Sequence, residues 1–287
     1  MPPARMPLLG LVNRKSSDKT GHAYAWYATA HYGAIGIGPY VGGLVAEWWG
    51  YRPALLVSGL GIAFALGLGL ALRAPPVGHA STRSSATFAD IKGNAAVWAG
   101  WIVSVSGLLI QGVVFPFFPL LGQERGLGPA AIGLVFLVLG LTNTVARLPA
   151  GWLLDRTGRP PLYAVGGVLL ASAVTALLPH VRGQAALLAL VAIFGATSGI
   201  AFVAISVALA ASAAPSARGL VMGGYSTSLY LGFALGSFAL GPIIAGHGYG
   251  VGFVVGGTVG AVGAVVAAVL WAAAGRHRSR GESPRVE

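Results

Sequence analysis

The sequence is dominated by long stretches of apolar residues from which charged side chains are nearly absent. We count eight stretches, each of about 19 residues or more, near 21–48, 53–72, 96–121, 129–154, 161–179, 184–211, 219–246 and 250–274. A helix rises 1.5 Å per residue, so about 20 residues cross the roughly 30 Å hydrocarbon core of a bilayer. Strands of a membrane barrel would instead alternate polar and apolar residues over about ten positions. The pattern predicts an all-α membrane protein with about eight transmembrane helices.

The composition excludes several other classes of protein. Only 9% of the 287 residues are charged, against about a quarter in soluble domains, and Cys is absent. The net charge of +11 comes from basic residues in short segments between the apolar stretches, which argues against nucleic-acid binding. No clustered His, Asp and Glu set could perform catalysis. We therefore expect a non-enzyme without metal or cofactor, whose partner is the lipid bilayer.

The basic residues also predict how the chain crosses the membrane. Fourteen of the 18 Lys and Arg lie on one side, three lie on the other, and Arg147 lies within a helix. Because basic loops stay in the cytoplasm, we expect a multi-pass protein of the plasma (inner) membrane with both termini cytoplasmic. Glu47 and Arg52 lie at the opposite surface, where we expect a solvated ion pair of little consequence.

An internal repeat predicts how the helices are grouped. A shift of 198 residues gives ten identities in 39 positions, among them Gly50 with Gly248 and Tyr51 with Tyr249. Shared membrane composition is the alternative explanation for these matches. A six-helix repeat would make the chain eight helices of a twelve-helix protein. The expected divisions are a cytoplasmic segment with the stub of a missing helix (1–20), the last two helices of a first bundle (21–72), a cytoplasmic inter-bundle loop (73–95), a complete six-helix C-terminal bundle (96–274) and a basic cytoplasmic tail (275–287).

One short motif between the fourth and fifth stretches points to a family. Gly151 and Asp155-Arg156 are followed by Gly158-Arg159, in the order Gly-x-x-x-Asp-Arg-x-Gly-Arg. This resembles the signature cytoplasmic loop of major facilitator superfamily (MFS) transporters, which are built from two six-helix halves. The resemblance implies a secondary transporter that works by alternating access, represented here by its last eight helices.

The chemistry of this loop suggests a role in gating. Gly158 permits a tight turn with positive φ, and a carboxylate at Asp155 suits the N-terminus of a neighbouring helix. The resemblance places that neighbour near Thr20 and Gly21, where the contact would latch the two halves in the outward-open state. It also implies a structural or gating role for Arg147. The alternative is that the loop only directs membrane insertion.

A second motif lies inside the first apolar stretch. Gly38-Pro39 is followed by Gly42-Gly43, and this pattern resembles the Gly-Pro-x-x-Gly-Gly core found in proton-coupled exporters of the family. The match is partial, because Ala34 stands where the family has another Gly. Pro kinks a helix and the small residues allow close helix approach, so simple packing explains the same residues.

His31 is the candidate proton site, because an ionisable group inside a membrane is a functional candidate and imidazole titrates near neutral pH. A neutral His held by a hydrogen bond is the alternative. No Asp or Glu lies near the middle of any stretch. We therefore expect the coupling acid of a proton-driven exporter to lie on the missing helices.

The third and sixth stretches carry the candidate substrate cavity. The resemblance makes them cavity-lining helices, and their aromatic and polar residues recur at helical spacing. An aromatic wall with a few polar groups suits amphipathic or hydrophobic solutes, although ordinary helix packing would give the same pattern. The candidate lining residues are Trp101, Ser104, Gln111, Phe115, Phe118, Phe194, Ser198 and Phe202.

Together these features predict a secondary active transporter that exports small organic molecules, coupled to protons. The alternative is a truncated, non-transporting membrane protein or the partner subunit of a split transporter. Two of the four expected cavity helices are missing from the repeat, so we expect the chain alone not to transport.

Overall fold

The computed structural model describes residues 33–71 and 87–281, and within these ranges the backbone is helical almost throughout and contains no strand. The predicted all-α fold is confirmed. The helices are α1 (33–49), α2 (Tyr51–Ala71), α3 (Ala95–Glu124), α4 (Pro129–Thr157), α5 (Pro160–Leu177), α6 (Gln184–Ser212) and α7 (Arg218–Gly281). Short 3-10 turns lie at Phe88–Asp90, Leu178–His180 and Pro215–Ala217.

The lengths of these helices fit a membrane-spanning protein. In the part of the chain that the structure describes, six helices are long and apolar enough to cross a bilayer. The last of them, α7, has 64 residues and is interrupted at Gly248, where φ is 82° and ψ is 167°. This break separates α7a (218–247) from α7b (249–281), and each part is long enough for one crossing. The described helices thus follow the eight predicted stretches in order.

Local sequence explains where the helices begin and end. The Asn94 side chain accepts hydrogen bonds from the backbone N–H groups of Ala96 and Val97, so it caps the start of α3. Pro129 occupies the first position of α4, where its missing N–H costs nothing. Gly158 ends α4 in the left-handed conformation, with φ of 64°. These residues place the turns at the ends of the apolar stretches.

Helices α3 to α7 pack around two apolar cores. α3 packs mainly on α7 and α4 mainly on α6, while α5 contacts both α6 and α7. One core surrounds Phe118, Phe194 and Phe253, and the other surrounds Ile205 and Leu209. The five helices therefore form a continuous bundle in which α7 contributes two antiparallel segments.

The two predicted repeats share a backbone feature. Gly50 separates α1 from α2 with φ of 86°, and Gly248 separates α7a from α7b with φ of 82°. These two glycines are the pair that the 198-residue shift aligns. Because φ in this range strains any residue with a side chain, both turns depend on Gly at the same repeat position.

α1 packs along α4 in an antiparallel direction. A Cβ added at Gly43 would collide with the Pro129 carbonyl, and one added at Gly36 would lie 3.1 Å from the Gly140 Cα. α2 differs from α1, because none of its residues is buried against the described part of the chain. The contact between the first helical hairpin and the bundle is therefore made by α1.

Candidate functional site

A cavity of about 520 Å³ lies where α1 meets α3, α4, α6 and α7a. It lies near the middle of α3, α4, α6 and α7a. Its lining is mainly aromatic and aliphatic, with a few polar side chains. The lining residues are Ile35, Leu108, Gln111, Phe115, Leu139, Gly140, Asn143, Arg147, Phe202, Tyr225, Leu229, Tyr230 and Phe233.

Aromatic rings form one wall of this cavity. The Phe115 ring centroid lies 6.3 Å from that of Phe233 on α7a, in an edge-to-face arrangement. Behind this wall, Phe115 also packs on Phe136, with ring centroids 5.3 Å apart. Such contacts stabilise the ring positions beyond the gain from apolar burial. The wall therefore presents flat apolar surfaces to the cavity.

The polar side of the cavity is organised around Arg147. Its Nε donates a 2.9 Å hydrogen bond to the Oδ1 of Asn143, one helical turn earlier on α4. Asn143 is only 6% exposed, so this bond fixes the guanidinium against the wall of the cavity. Gln111 adds a neutral amide to the cavity lining. The cavity therefore combines one fixed cation with amide and aromatic groups.

Sequence analysis did not identify Asn143, Tyr225 or Phe233 as site residues. A signal for Asn143 existed, because it is a polar residue on an apolar helix, four positions before Arg147. Tyr225 also had a signal, since it aligns with Tyr27 in the 198-residue shift.

The structure separates the predicted lining residues into three groups. Gln111, Phe115 and Phe202 line the cavity. Trp101 lies beside a different cleft, where its Nε1 donates to the Val221 carbonyl at 3.1 Å. Four others are almost completely buried between helices and lie outside the cavity lining: Ser104, Phe118, Phe194 and Ser198. Neighbouring helices cover α3 and α6 above and below the cavity.

The signature loop forms a tight turn at the end of α4. Gly158 adopts the positive φ that its sequence position predicted, while Asp155 and Arg159 are exposed. The Arg156 guanidinium lies 5.4 Å from the centroid of the exposed Trp152 ring. Gly151 faces open space, with no atom within 4 Å of a Cβ built there. The loop therefore presents its charged groups to the surroundings of the bundle.

Three residues invoked from the sequence are not described by the structure. Thr20 and Gly21, the predicted neighbours of Asp155, and His31, the candidate proton site, lie outside the described residues.

The Gly-Pro-x-x-Gly-Gly motif lies on α1 where this helix meets α4. The Pro39 carbonyl and the Tyr40 Cα approach Gly133 so closely that a Cβ there would lie 2.7 Å and 2.8 Å from them. By contrast, a Cβ built at Gly38 or Gly42 meets no atom within 4 Å. The motif also borders a second cavity of about 370 Å³ between the α1–α2 hairpin and helices α3 and α4. The glycines of the motif therefore differ in how closely they are packed, and among them Gly43 makes the close contact with α4.

Comparison with known proteins identifies the family. The model of the Major Facilitator Superfamily matches residues 3–181 and 100–287. The chain belongs to this superfamily. It is 29% identical over 150 residues to the uncharacterized MFS-type transporter MJ1560 of Methanocaldococcus jannaschii, covering 52% of this chain and 38% of the relative. It is 27% identical over 184 residues to the MFS-type transporter SLC18B1 of Homo sapiens, covering 58% of this chain and 40% of the relative.

These matches establish an integral multi-pass membrane protein of a transporter family. The matched part spans about two fifths of the length of both relatives. Within the described ranges of this major facilitator chain, no group of three or more His, Cys, Asp or Glu is arranged to hold a metal ion.

One prediction about this major facilitator chain was incomplete. Glu47 and Arg52 are both exposed, as predicted, but the Glu47 Oε2 also accepts a 2.9 Å hydrogen bond from the Ala130 backbone N–H. Ala130 lies in the first turn of α4, next to Pro129, where backbone N–H groups have no partner within the helix. The carboxylate thus joins the end of α1 to the start of α4.

Proposed function

We propose that this chain forms part of a secondary active transporter that exports small amphipathic or aromatic organic molecules in exchange for protons, by alternating access. The single observation that carries this proposal is the cavity lined by Gln111, Phe115 and Arg147. It lies at the junction between α1 and the bundle, which is where rocking of two bundles would expose a site alternately to each side. We further propose that the chain lies in the plasma (inner) membrane with both termini cytoplasmic, because of its basic loops.

The lining of the cavity supports the proposed class of substrate. The rings of Phe115 and Phe233 present apolar faces, whereas Gln111 and Arg147 provide hydrogen-bond donors. A ligand site that is mostly apolar, with a few fixed polar groups, selects solutes having an aromatic body and a polar end. The cavity volume of about 520 Å³ suits molecules of drug-like size.

The direction and coupling of transport are supported by sequence motifs. The motif from Gly38 to Gly43 resembles that of proton-coupled exporters, and Gly43 makes a close contact between α1 and α4. His31 is the proposed proton-binding group of this chain, since imidazole in general can gain and lose a proton near neutral pH.

The signature loop is proposed to hold the two halves together at its end of the bundle. Asp155 is exposed at the end of α4 and would accept hydrogen bonds from the segment near Thr20 and Gly21. The contacts between α1 and α4 support this pairing. Gly43 lies beside Pro129 and Gly36 lies beside Gly140, so residues earlier in α1 meet residues later in α4.

A transport assay with defined dyes tests the proposal. The chain is placed in proteoliposomes with a proton gradient, and the movement of cationic, neutral and anionic fluorescent aromatic dyes is followed with and without a protonophore. If the chain moves dye, the movement should require the gradient, and Gln111→Ala and Phe115→Ala should change the order of preference among dyes while protein yield is unchanged. Dye movement that persists without the gradient would contradict proton coupling.

The expectation that the chain alone does not transport, which also holds for a partner subunit, predicts a different result in the same experiment. The chain alone would then bind dye without moving it, and movement would appear only when a second membrane chain is added. In both cases the cavity variants should alter dye binding. Binding that is unchanged in Gln111→Ala and Phe115→Ala would contradict the assignment of this cavity as the solute site.

A further inference from the structure

The junction between α1 and α4 is closed by an acidic side chain at one end. The Ala130 N–H donates to the Glu47 Oε2 at 2.9 Å, and the same oxygen lies 3.0 Å from the position of a Cβ built on Gly128. One turn away on α1, Gly43 touches the Pro129 carbonyl. The start of α4 is therefore held by both backbone packing and a charge-assisted hydrogen bond.

The Glu47 carboxylate lies where it can interact favourably with the N-terminus of α4. The N-terminus of a helix carries a partial positive charge and unpaired N–H groups, so a carboxylate there is stabilising. The cap residue of α4 is Gly128, which has no side chain, and Pro129 follows it without an N–H. Glu47 thus supplies from another helix the acceptor that α4 lacks in its own sequence.

We propose that Glu47 is a latch that favours the conformation in which α1 and α4 are closed at this end. This inference rests on the alternating-access motion proposed above. Asp155, which carries the contact proposed for the signature loop, lies at the other end of α4, roughly 38 Å away at 1.5 Å per residue. The two proposed latches would therefore act at opposite ends of α4.

The two carboxylates differ in their sequence setting. Asp155 belongs to a signature motif, whereas Glu47 aligns with Ala245 in the 198-residue shift and so has no counterpart in the second repeat. The latch at the Glu47 end is therefore specific to the α1–α4 junction. In alternating access, opening at this end must break the bond between Glu47 and Ala130, so its loss should favour the open form.

Spin labels provide a direct test, because the chain contains no Cys and labelled positions can be introduced singly. One label replaces exposed Trp49, at the end of α1, and the other replaces exposed Gln184, at the start of α6 in the bundle. Distances between the labels are measured by pulsed electron resonance on the full chain in nanodiscs. In Glu47→Gln the ratio of separated to closed conformers should rise about twofold to fivefold.

Two further variants keep the test specific. Glu124→Gln removes an exposed carboxylate at the end of α3, on the same side of the bundle, and should leave the ratio unchanged. Ala130→Pro removes the N–H donor itself, and α5 shows that a helix of this chain can begin with two prolines, Pro160 and Pro161. Glu47→Gln removes the charge but keeps an oxygen that can accept the hydrogen bond, so Ala130→Pro should raise the ratio at least as much. The double variant should raise it by less than the sum of the two single effects.

The inference is overturned if Glu47→Gln leaves the distances unchanged, or if Glu124→Gln changes them equally. It is also overturned if the effects of Glu47→Gln and Ala130→Pro add fully, because they would then act on separate contacts. The measurement uses no solute. A chain whose dye binding is unchanged in Gln111→Ala and Phe115→Ala but which shows this response would contradict the assigned solute site and leave the latch supported.

Discussion

Neighbouring glycines on α1 allow the contact between α1 and α4 to be tested with a nearly matched pair of substitutions. A Cβ at Gly43 would collide with the carbonyl oxygen of Pro129 and lie 3.0 Å from its carbonyl carbon. A Cβ at Gly42 would meet no atom within 4 Å. Replacement by Ala gains about 0.5–1 kcal/mol of helix stability at either position, so this contribution cancels when Gly43→Ala is compared with Gly42→Ala.

The difference between the two variants therefore isolates the collision at the helix contact. Overpacking of this kind costs about 1–3 kcal/mol, and backbone atoms on the α4 side cannot rotate away as a side chain would. If that cost falls on the closed conformer alone, the ratio of separated to closed conformers should be about fivefold to 150-fold higher in Gly43→Ala than in Gly42→Ala.

The assay is the spin-label pair at positions 49 and 184, with thermal unfolding of each variant as a control for overall stability. Gly42→Ala should keep the distance distribution of the parent chain. Equal distributions for Gly42→Ala and Gly43→Ala would refute the reasoning, because the close contact between Gly43 and Pro129 would then carry no energetic weight.

Three other substitutions test separate parts of the structure. Arg125→Ala should lower the free energy of unfolding by about 1–2 kcal/mol in a denaturant titration, because the guanidinium donates to the carbonyls of Leu178, Pro179 and Val181. An unchanged denaturation midpoint would contradict this role. Gly158→Ala should lower thermal stability by about 1–2 kcal/mol because φ at this residue is 64°, whereas Gly151→Ala should not, because Gly151 is helical and has room for a Cβ. Equal effects of the two substitutions would argue against backbone strain at Gly158. Asn143→Ala should weaken binding of an anionic dye more than that of a neutral dye, because it removes the acceptor of the hydrogen bond that positions the Arg147 side chain. A fluorescence titration that shows equal loss of affinity for both dyes would contradict this positioning role.

The helices of this chain could be predicted from sequence because the bilayer limits their length. The stretch expected at 184–211 is the helix Gln184–Ser212, and the turn expected between 246 and 250 is the break at Gly248. Pro129 and Gly158 act locally at the ends of α4, so their effects are visible in a few neighbouring residues. Such boundaries depend on hydropathy and turn chemistry alone.

The faces of the helices could not be predicted in the same way. α3 is apolar on all sides, so the spacing of Ser104, Gln111 and Phe118 indicated one stripe but not which part of it would be covered. In the structure only the middle of that stripe borders the cavity, because contacts from distant segments bury the rest. The role of Glu47 was missed for a related reason: its partner, Ala130, is 83 residues away in the sequence.

The central claim is that the cavity between α1 and the bundle binds the transported solute, and two phenylalanines on α7 test it most directly. Phe233 lines the cavity, whereas Phe238, one to two turns later on the same helix, is 85% exposed and lies outside the lining. Binding of a fluorescent aromatic dye to the chain in nanodiscs is measured by anisotropy for each Ala variant. Phe233→Ala should weaken binding about tenfold while Phe238→Ala leaves it unchanged; equal affinities for the two variants would contradict the claim.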